Sequence, residues 1–167
     1  ILLSLVGSEM CIRDRIPLYS VFTVDSIALP KLQKANMNGV MGSVMTQFWA
    51  PDLDTPQNKK FVSGFKKKYS RYPSFYAAQS YDTIFLIKSA VEAVKGNLSN
   101  KDGMRTAMEK ANFPSVRGKF SYGNNHFPIQ NFYSREVVKD SDGVWTTSVR
   151  EVVLKNHQDT YAKECSM

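Results

Sequence analysis

Few side chains in this 167-residue chain have the types and spacing that covalent chemistry requires. The two histidines, His126 and His157, are isolated from each other, and His126 lies in a turn-forming stretch where a structural role is expected. The chain has no cysteine pair that could complete a zinc site with them. Asp82 lies one turn inside a predicted helix, where we expect a local hydrogen bond. G-x-S-x-G, P-loop and dinucleotide motifs are absent, so the sequence predicts neither an enzyme nor a metal or cofactor site.

Asp25 and Thr23 are better suited to binding a ligand than to catalysis. Thr23 ends, and Asp25 follows, a short β-branched and aromatic run that predicts a buried strand. Ligands of open α/β sheets bind beyond the carboxyl ends of the strands. A carboxylate in that place can pair with a ligand ammonium group, and the Thr23 hydroxyl can contribute beside it. The alternative, a turn or capping aspartate, is equally compatible with the sequence.

Aromatic residues form a second group of candidates. Phe75 and Tyr76 begin a long helical pattern, where unpaired N–H groups and positive potential favour an acidic ligand. They can form one wall of a pocket, although Phe75 also fits a core position. Phe48 and Trp49 precede a connector with two prolines, so they either line a cleft or, as we favour, pack at a hinge.

The periodicity of the chain predicts an α/β fold that positions these residues. Asp54 or Thr55 is the predicted cap of the first long helix, with Pro56 in its first turn, and Ser99 is the predicted start of the last one. An Asp-Gly pair predicts a hairpin at the end. Strands before and after the helices need not share a sheet. The predicted strands are residues 16–23, 39–49, 119–122, 129–139 and 144–154, and the predicted helices are residues 28–35, 56–70, 74–95, 99–111 and 157–163.

The net charge of +7 is not accompanied by a nucleic-acid-binding motif. Basic residues are spread along the chain. The densest run, residues 66–68, lies in an amphipathic helical pattern where a solvated face is the simpler explanation. We therefore expect no nucleic-acid partner.

The first fifteen residues differ from the rest of the chain. Residues 5–15 resemble the translation of a transposase-based sequencing adapter, and the apolar start lacks the parts of a signal peptide. It is also shorter than the about 20 residues that a membrane helix needs. The hypothesis is that the biological chain begins near Ile16 and has lost its natural N-terminus. Cys11 would then be foreign, and Cys165 would be either a free thiol or half of a disulfide.

Five stretches resemble, in this order, the branched-chain amino acid (leucine/isoleucine/valine-binding) family of periplasmic substrate-binding proteins of ABC importers. They are I-P-L-Y-S-V-F-T-V-D, F-W-A-P-D-L-D-T-P-Q-N-K-K-F, Y-P-S-F-Y-A-A-Q-S-Y-D, V-R-G-K-F-S-Y and N-H-F-P-I-Q-N-F-Y-S-R-E-V-V-K-D. The resemblance covers residues 16–167 and corresponds to the C-terminal part of such a protein, under half of its length.

The resemblance implies a partial type I periplasmic-binding-protein fold made of pieces of two α/β lobes. Residues 1–15 stay outside it, residues 16–50 would end lobe two, residues 51–126 would belong to lobe one, and residues 127–167 would return to lobe two. Asp25 matches the acidic ligand contact of the family approximately, and Tyr76 matches its aromatic contact. The binders of the ligand carboxylate would lie in the missing part of lobe one.

The implied function is ligand capture by closure of the cleft, without chemistry. The implied ligand is a small amino-acid-like or carboxylate molecule, with aromatic acids and amides also permitted. The implied partner is an ABC permease, the location extracytoplasmic and the complete protein a monomer. One alternative is a sensory domain of the same fold in a signalling system. A second is a hydrolase on a related scaffold.

Overall fold

The computed structural model describes residues 19–21 and 24–165. Thr23 and the adapter-like residues 1–15 therefore lie outside the described residues. The strands are β1 (Tyr19–Val21), β2 (Val44–Gln47), β3 (Ser121–Tyr122), β4 (Pro128–Lys139) and β5 (Trp145–His157). The helices are α1 (Leu29–Lys34), α2 (Pro56–Tyr69), α3 (Phe75–Ala93) and α4 (Lys101–Glu109), with 3₁₀ turns at Asn38–Val40 and Ala162–Glu164.

The described strands form one mixed sheet in which β4 is central. β1 pairs with β2 in parallel, and β2 pairs with β4 in the antiparallel sense, with Thr46 opposite Ser134. β5 lies on the other side of β4, and β3 pairs with the first two residues of β4. The strands before and after the helices thus share a sheet, a point that the sequence left open. The α/β prediction is confirmed.

In the turn that closes the β4–β5 hairpin, a side chain accepts hydrogen bonds from backbone N–H groups. The Asp140 carboxylate accepts hydrogen bonds from the N–H groups of Asp142 and Val144, at 3.0 and 2.8 Å. Gly143 has φ +76°, a conformation that suits a residue without a Cβ. The predicted Asp-Gly hairpin is therefore confirmed, and β5 ends three residues later than predicted.

The helices α2, α3 and α4 each begin after a residue whose side chain accepts a backbone N–H group of the first turn. Thr55 caps α2 by accepting the Asn58 N–H, and Ser74 caps α3 by accepting the Ala77 N–H. The start predicted for α4 was wrong by one residue. Asn100, not Ser99, accepts the Gly103 N–H, because an asparagine side chain there reaches the N3 position.

Two groups of buried apolar residues hold the helices and the sheet together. The aromatic cluster consists of Phe48, Trp49, Ala50, Leu53, Phe61, Val62, Phe75, Ala78, Val116 and Tyr133. The small cluster consists of Leu29, Met45, Val137 and Trp145. Since Tyr133 and Val137 lie on the same face of β4, this strand connects the two clusters. None of the helices within the described part of the chain is long and apolar enough to cross a membrane.

Candidate functional site

Asp25 lies in the loop after β1 and is 6% exposed. Its Oδ1 accepts the Ile27 N–H at 2.8 Å, and its backbone carbonyl accepts the N–H groups of Ala28 and Leu29. Its Oδ2 is buried and has no hydrogen-bond partner among the described residues. Asp25 therefore acts as a turn aspartate and also keeps one carboxylate oxygen for another partner.

A hydrogen bond connects this loop to the residues that precede α3. The Ser26 hydroxyl donates to the Pro73 carbonyl at 2.6 Å, across 47 residues of sequence. We call residues 25–26 and 73–76 the loop–helix junction. The loop that holds the predicted acid is thus joined to the segment that precedes the predicted aromatic pair.

The aromatic candidates at this junction differ in exposure. Phe75 is 5% exposed and packs edge-on against Phe48, with 6.0 Å between ring centroids. Tyr76 is 59% exposed, and its ring lies 3.9 Å from that of Phe75. Tyr76 therefore presents an aromatic surface to solvent, whereas Phe75 and Phe48 support it from the core.

Trp49 is packed inside the connector between β2 and α2. Its indole N–H donates to Asn58 Oδ1 at 2.8 Å. The Asn58 amide donates in turn to three connector carbonyls, those of Ala50, Pro51 and Leu53. Asn58 is fully buried and fixes the path of the connector. The sequence analysis missed it, because an asparagine in the first turn of a helix is normally solvated.

The prediction of a local hydrogen bond for Asp82 was wrong. The Asp82 carboxylate accepts from the Ser115 hydroxyl at 2.6 Å, the Val116 N–H at 2.9 Å and the Arg117 Nε at 2.9 Å. Arg117 also donates to Gln130 Oε1 in β4. Asp82 faces the core and not its own helix turn, so its partners come from more than 30 residues away. These bonds join α3 to β4 and leave no free acid for catalysis.

Arg135 is a further buried charge that the sequence analysis missed. It is 1% exposed and donates one hydrogen bond, from Nη1 to Thr147 Oγ1 at 3.3 Å. Its Nε and Nη2 have no partner among the described residues. Burial lowers the pKa of the guanidinium to about 10, while the Asp25 and Asp52 carboxylates act in the opposite direction. The sequence did contain a signal for this residue. Arg135 is a cation on a face of β4 whose neighbours on either side, Tyr133 and Val137, are apolar.

An open cleft of about 470 Å³ separates α2 from the β4–β5 hairpin. Asp52 bridges one side by accepting from the Ser148 hydroxyl at 2.6 Å and the Val149 N–H at 3.0 Å. The Tyr72 hydroxyl bridges another side by donating to Asp140 Oδ2 at 2.8 Å. The lining residues are Pro51, Asp52, Lys59, Val62, Ser63, Lys66, Tyr72, Val138, Asp140, Thr146, Thr147 and Ser148.

The remaining candidates for metal binding or thiol chemistry include His126 and Cys165. Across residues 19–21 and 24–165, no three His, Cys, Asp or Glu side chains are grouped to hold a metal ion. His126 has φ +58° in the turn before β4, where its N–H donates to the Gly123 carbonyl. Cys165 is a free, half-buried thiol.

A mixed sheet together with the helices that lie between its strands in sequence defines an α/β fold. The family model for periplasmic binding proteins matches residues 12–143, and the chain belongs to this family. The family resemblance and the fold class inferred from the sequence are thereby confirmed.

Individual relatives agree with this assignment. The Leu/Ile/Val-binding protein homolog 6 of Brucella abortus is 32% identical over 110 residues, which are 63% of this chain and 27% of the relative. The solute-binding protein of an R. palustris ABC transporter, solved with benzoate, is 28% identical with a TM-score of 0.75. The alignment covers 91% of this chain and 39% of that protein.

A third comparison supports the fold alone. The ABC transporter substrate-binding protein of Sphaerobacter thermophilus is 22% identical with a TM-score of 0.77, over 89% of this chain and 40% of that protein. The chain thus spans between about a quarter and two-fifths of the length of these relatives.

Proposed function

We propose that this chain forms part of an extracytoplasmic solute-binding receptor that delivers a small carboxylate ligand to an ABC permease. The observation that supports the proposal is the loop–helix junction, where the Ser26–Pro73 bond joins the segments of Asp25 and Tyr76. Asp25 Oδ2 has no partner among the described residues, and the Tyr76 ring is exposed. The receptor binds and releases its ligand unchanged, and the complete protein acts as a monomer.

In this proposal, residues 16–50 and 127–167 belong to one lobe and residues 51–126 to the other. The sheet supports the division. β1 pairs with β2, β2 with β4 and β4 with β5, so strands from residues 16–50 and 127–167 form one sheet. The helices α2, α3 and α4 lie between these strands in sequence. The bonds Ser26–Pro73, Asp52–Ser148 and Tyr72–Asp140 would then connect the lobes.

The ligand would touch both lobes at the junction. Asp25 Oδ2 would accept from an ammonium or hydroxyl group, and Thr23 would contribute from the same loop. Tyr76, backed by Phe75 and Phe48, would cover the apolar part of the ligand. Trp49 would act at the hinge. A ligand that contacts both lobes favours the closed arrangement by its differential affinity.

Two of the relatives above 25% identity support a ligand class. One is named as a Leu/Ile/Val-binding protein homologue, and the other was solved with benzoate. Branched amino acids and benzoate share a single carboxylate and an apolar body. We therefore propose a monocarboxylate ligand with an apolar or aromatic body.

Calorimetric titration of the full-length receptor with L-leucine, L-valine, benzoate and 4-hydroxybenzoate tests this function. We expect saturable binding of at least one compound at one site, and NMR spectra of the recovered compound should show no product. At a hundredfold excess over Kd, the bound ligand should stabilise the fold by about 2.7 kcal/mol. Absence of binding to all four compounds, or formation of a product, would contradict the proposal.

A matched pair of variants locates the site. Tyr76→Ala should weaken binding by roughly tenfold or more, as expected for loss of an aromatic contact worth about 1.5 kcal/mol. Tyr161→Ala is the control, because Tyr161 is similarly exposed at 68% but lies after β5, away in sequence from residues 25–26 and 73–76. Equal affinities of the two variants would place the ligand away from the junction.

A further inference from the structure

Tyr72 and Pro73 are held from two directions by segments that are distant in sequence. The Tyr72 hydroxyl donates to Asp140 Oδ2 in the β4–β5 turn at 2.8 Å. The Pro73 carbonyl accepts from the Ser26 hydroxyl at 2.6 Å. Pro73 is less than 2% exposed and Ser26 is 7% exposed, so water competes little with the second bond. We call residues 72–73 the strap.

The two segments that hold the strap are joined to each other through Gln33 in α1. The Gln33 Oε1 accepts the Trp145 N–H at 3.0 Å, and its Nε2 donates to the Gly143 carbonyl at 2.9 Å. At its other end, α1 is bonded to the loop after β1, because the Leu29 N–H donates to the Asp25 carbonyl at 2.9 Å. The loop, α1, the β4–β5 turn and the strap therefore form a closed ring of contacts.

The ring crosses the boundary between the proposed lobes. The loop, α1 and the turn lie in residues 16–50 and 127–167, whereas the strap lies in residues 51–126. The strap also leads directly into α3, which Ser74 caps and which carries Tyr76 in its first turn. A side-chain hydrogen bond does not extend beyond about 3.5 Å. A small movement of the lobes against each other therefore breaks both bonds of the strap and displaces Tyr76 relative to the loop.

We infer that Ser26 and Tyr72 are positioning residues for ligand binding, which hold the strap when the lobes are closed and release it when they open. This inference rests on the proposed function. A contact that is made in one of two arrangements stabilises that arrangement and shifts the equilibrium towards it. The apparent affinity for a ligand rises with the population of the arrangement that binds it. Neither side chain therefore needs to touch the ligand in order to raise its affinity and slow its release.

Binding kinetics of the full-length receptor with L-leucine and with benzoate test the inference. Ser26→Ala should raise koff by roughly fivefold and Tyr72→Phe by roughly tenfold, because the Tyr72 bond has a charged acceptor. The value of kon should change by less than about twofold, since the ligand enters before the lobes close. Ser26→Thr retains the hydroxyl and should keep the wild-type koff. Ser89→Ala is the control, because the Ser89 hydroxyl donates to the Leu86 carbonyl within α3, and it should leave both rates unchanged.

A ligand-free measurement separates this inference from the proposed function. Spin labels on cysteines that replace the exposed Asn38 and Asn97, one in each proposed lobe, report the separation of the lobes by pulsed electron resonance. Ser26→Ala and Tyr72→Phe should each change the distribution of separations in the full-length receptor, whereas Ser89→Ala should not. Such a change without binding of either probe would leave the strap standing and refute the proposed ligands.

The kinetic and ligand-free outcomes decide the role of the strap in different cases. Binding of a probe with koff unchanged in both variants would overturn the inference, even if the melting temperature falls, because the two bonds would then be structural alone. Where neither probe binds, an unchanged distribution of separations would overturn it. If Ser26→Ala does not fold, Tyr72→Phe decides, since it removes one hydroxyl and leaves the ring in place.

Discussion

At the scale of single residues, Asp82 and Asn58 show how a polar side chain can organise apolar surroundings. Each is almost completely buried, and each bonds to several partners in another segment of the chain. Asp82 joins α3 to β4 through Arg117, whose guanidinium also lies 4.1 Å from the Phe120 ring centroid. The support of the loop–helix junction therefore depends on polar contacts within the core as well as on the aromatic cluster.

Asp82→Asn should destabilise the protein by about 3–5 kcal/mol, because it leaves the buried Arg117 guanidinium without its counter-charge. Urea unfolding measures the loss. Asp102→Asn is the matched control, since Asp102 pairs with Arg105 on an exposed helix face and such pairs contribute about 0–1 kcal/mol. Similar losses in the two variants would show that the Asp82 pair is not the buried network described above.

Asn58→Ala should cost about 2–4 kcal/mol, since it leaves the Trp49 indole N–H unpaired in the core and removes the side-chain bonds to three connector carbonyls. Asn38→Ala removes one bond from an exposed amide to the Asn36 carbonyl and should change stability by less than about 0.5 kcal/mol. The comparison uses denaturation midpoints. A mild effect of Asn58→Ala would mean that the connector does not depend on this side chain.

At the scale of elements, the end of α2 is tied to the β4–β5 turn by a group that we call the α2–hairpin latch, formed by Lys66, Tyr72 and Asp140. The Tyr72 hydroxyl donates to Asp140, and Lys66 Nζ lies 3.7 Å from that carboxylate and 4.1 Å from the tyrosine ring centroid. Burial opposes ionisation of Asp140, but the bonds from Tyr72, Val144 and Asp142 outweigh it and lower the pKa of Asp140 below its ordinary 3.8.

Tyr72→Phe should reduce stability by about 1–2 kcal/mol at pH 7, the usual contribution of a hydrogen bond to a charged group. A carboxyl group whose pKa is lower in the folded state stabilises the fold above its unfolded pKa and loses that effect as the pH falls through the folded pKa. The difference between wild type and Tyr72→Phe should therefore be constant above about pH 5 and shrink below about pH 4. Urea unfolding at pH 7, 5 and 3.5 measures it, and a difference independent of pH would contradict the role of Asp140.

The sequence predicted those elements whose signals are local. Thr55 and Ser74 cap helices by bonds to N–H groups three residues further on, and Asp140 bonds within its own turn. Residues close in sequence are therefore enough to predict these elements. The partners of Asp82 and the pairing of β2 with β4 depend on segments far apart in sequence. Arg135 was missed for a related reason, since only the pairing of β4 shows that its face is covered. At the candidate site, the sequence indicated Asp25 and Tyr76, but not the Ser26–Pro73 bond that joins their segments.

At the scale of the whole molecule, the described sheet and helices leave large apolar side chains exposed in places where a compact domain would cover them. Tyr19 and Val21 on the outer strand β1 are 70% and 56% exposed, and Ile84 on α3 is 65% exposed. The solved relatives are more than twice as long as this chain. These surfaces are therefore where we expect a longer receptor to bury apolar area.

Residues 16–167 expressed alone should consequently be of low stability, because β1 lacks an outer neighbour and the Ile84 face of α3 lacks a cover among the described residues. We expect a broad thermal transition, a tendency to associate and fast hydrogen exchange in β1 and in the exposed face of α3. The same amides should exchange more slowly in the full-length receptor, since hydrogen exchange reports local opening. Amides of β4 serve as the internal control, because β4 pairs with strands on both sides in the chain as it stands. A sharp, cooperative and monomeric melt of residues 16–167, with measurable affinity for L-leucine or benzoate, would show that this part of the fold needs no further segment to be stable or to bind.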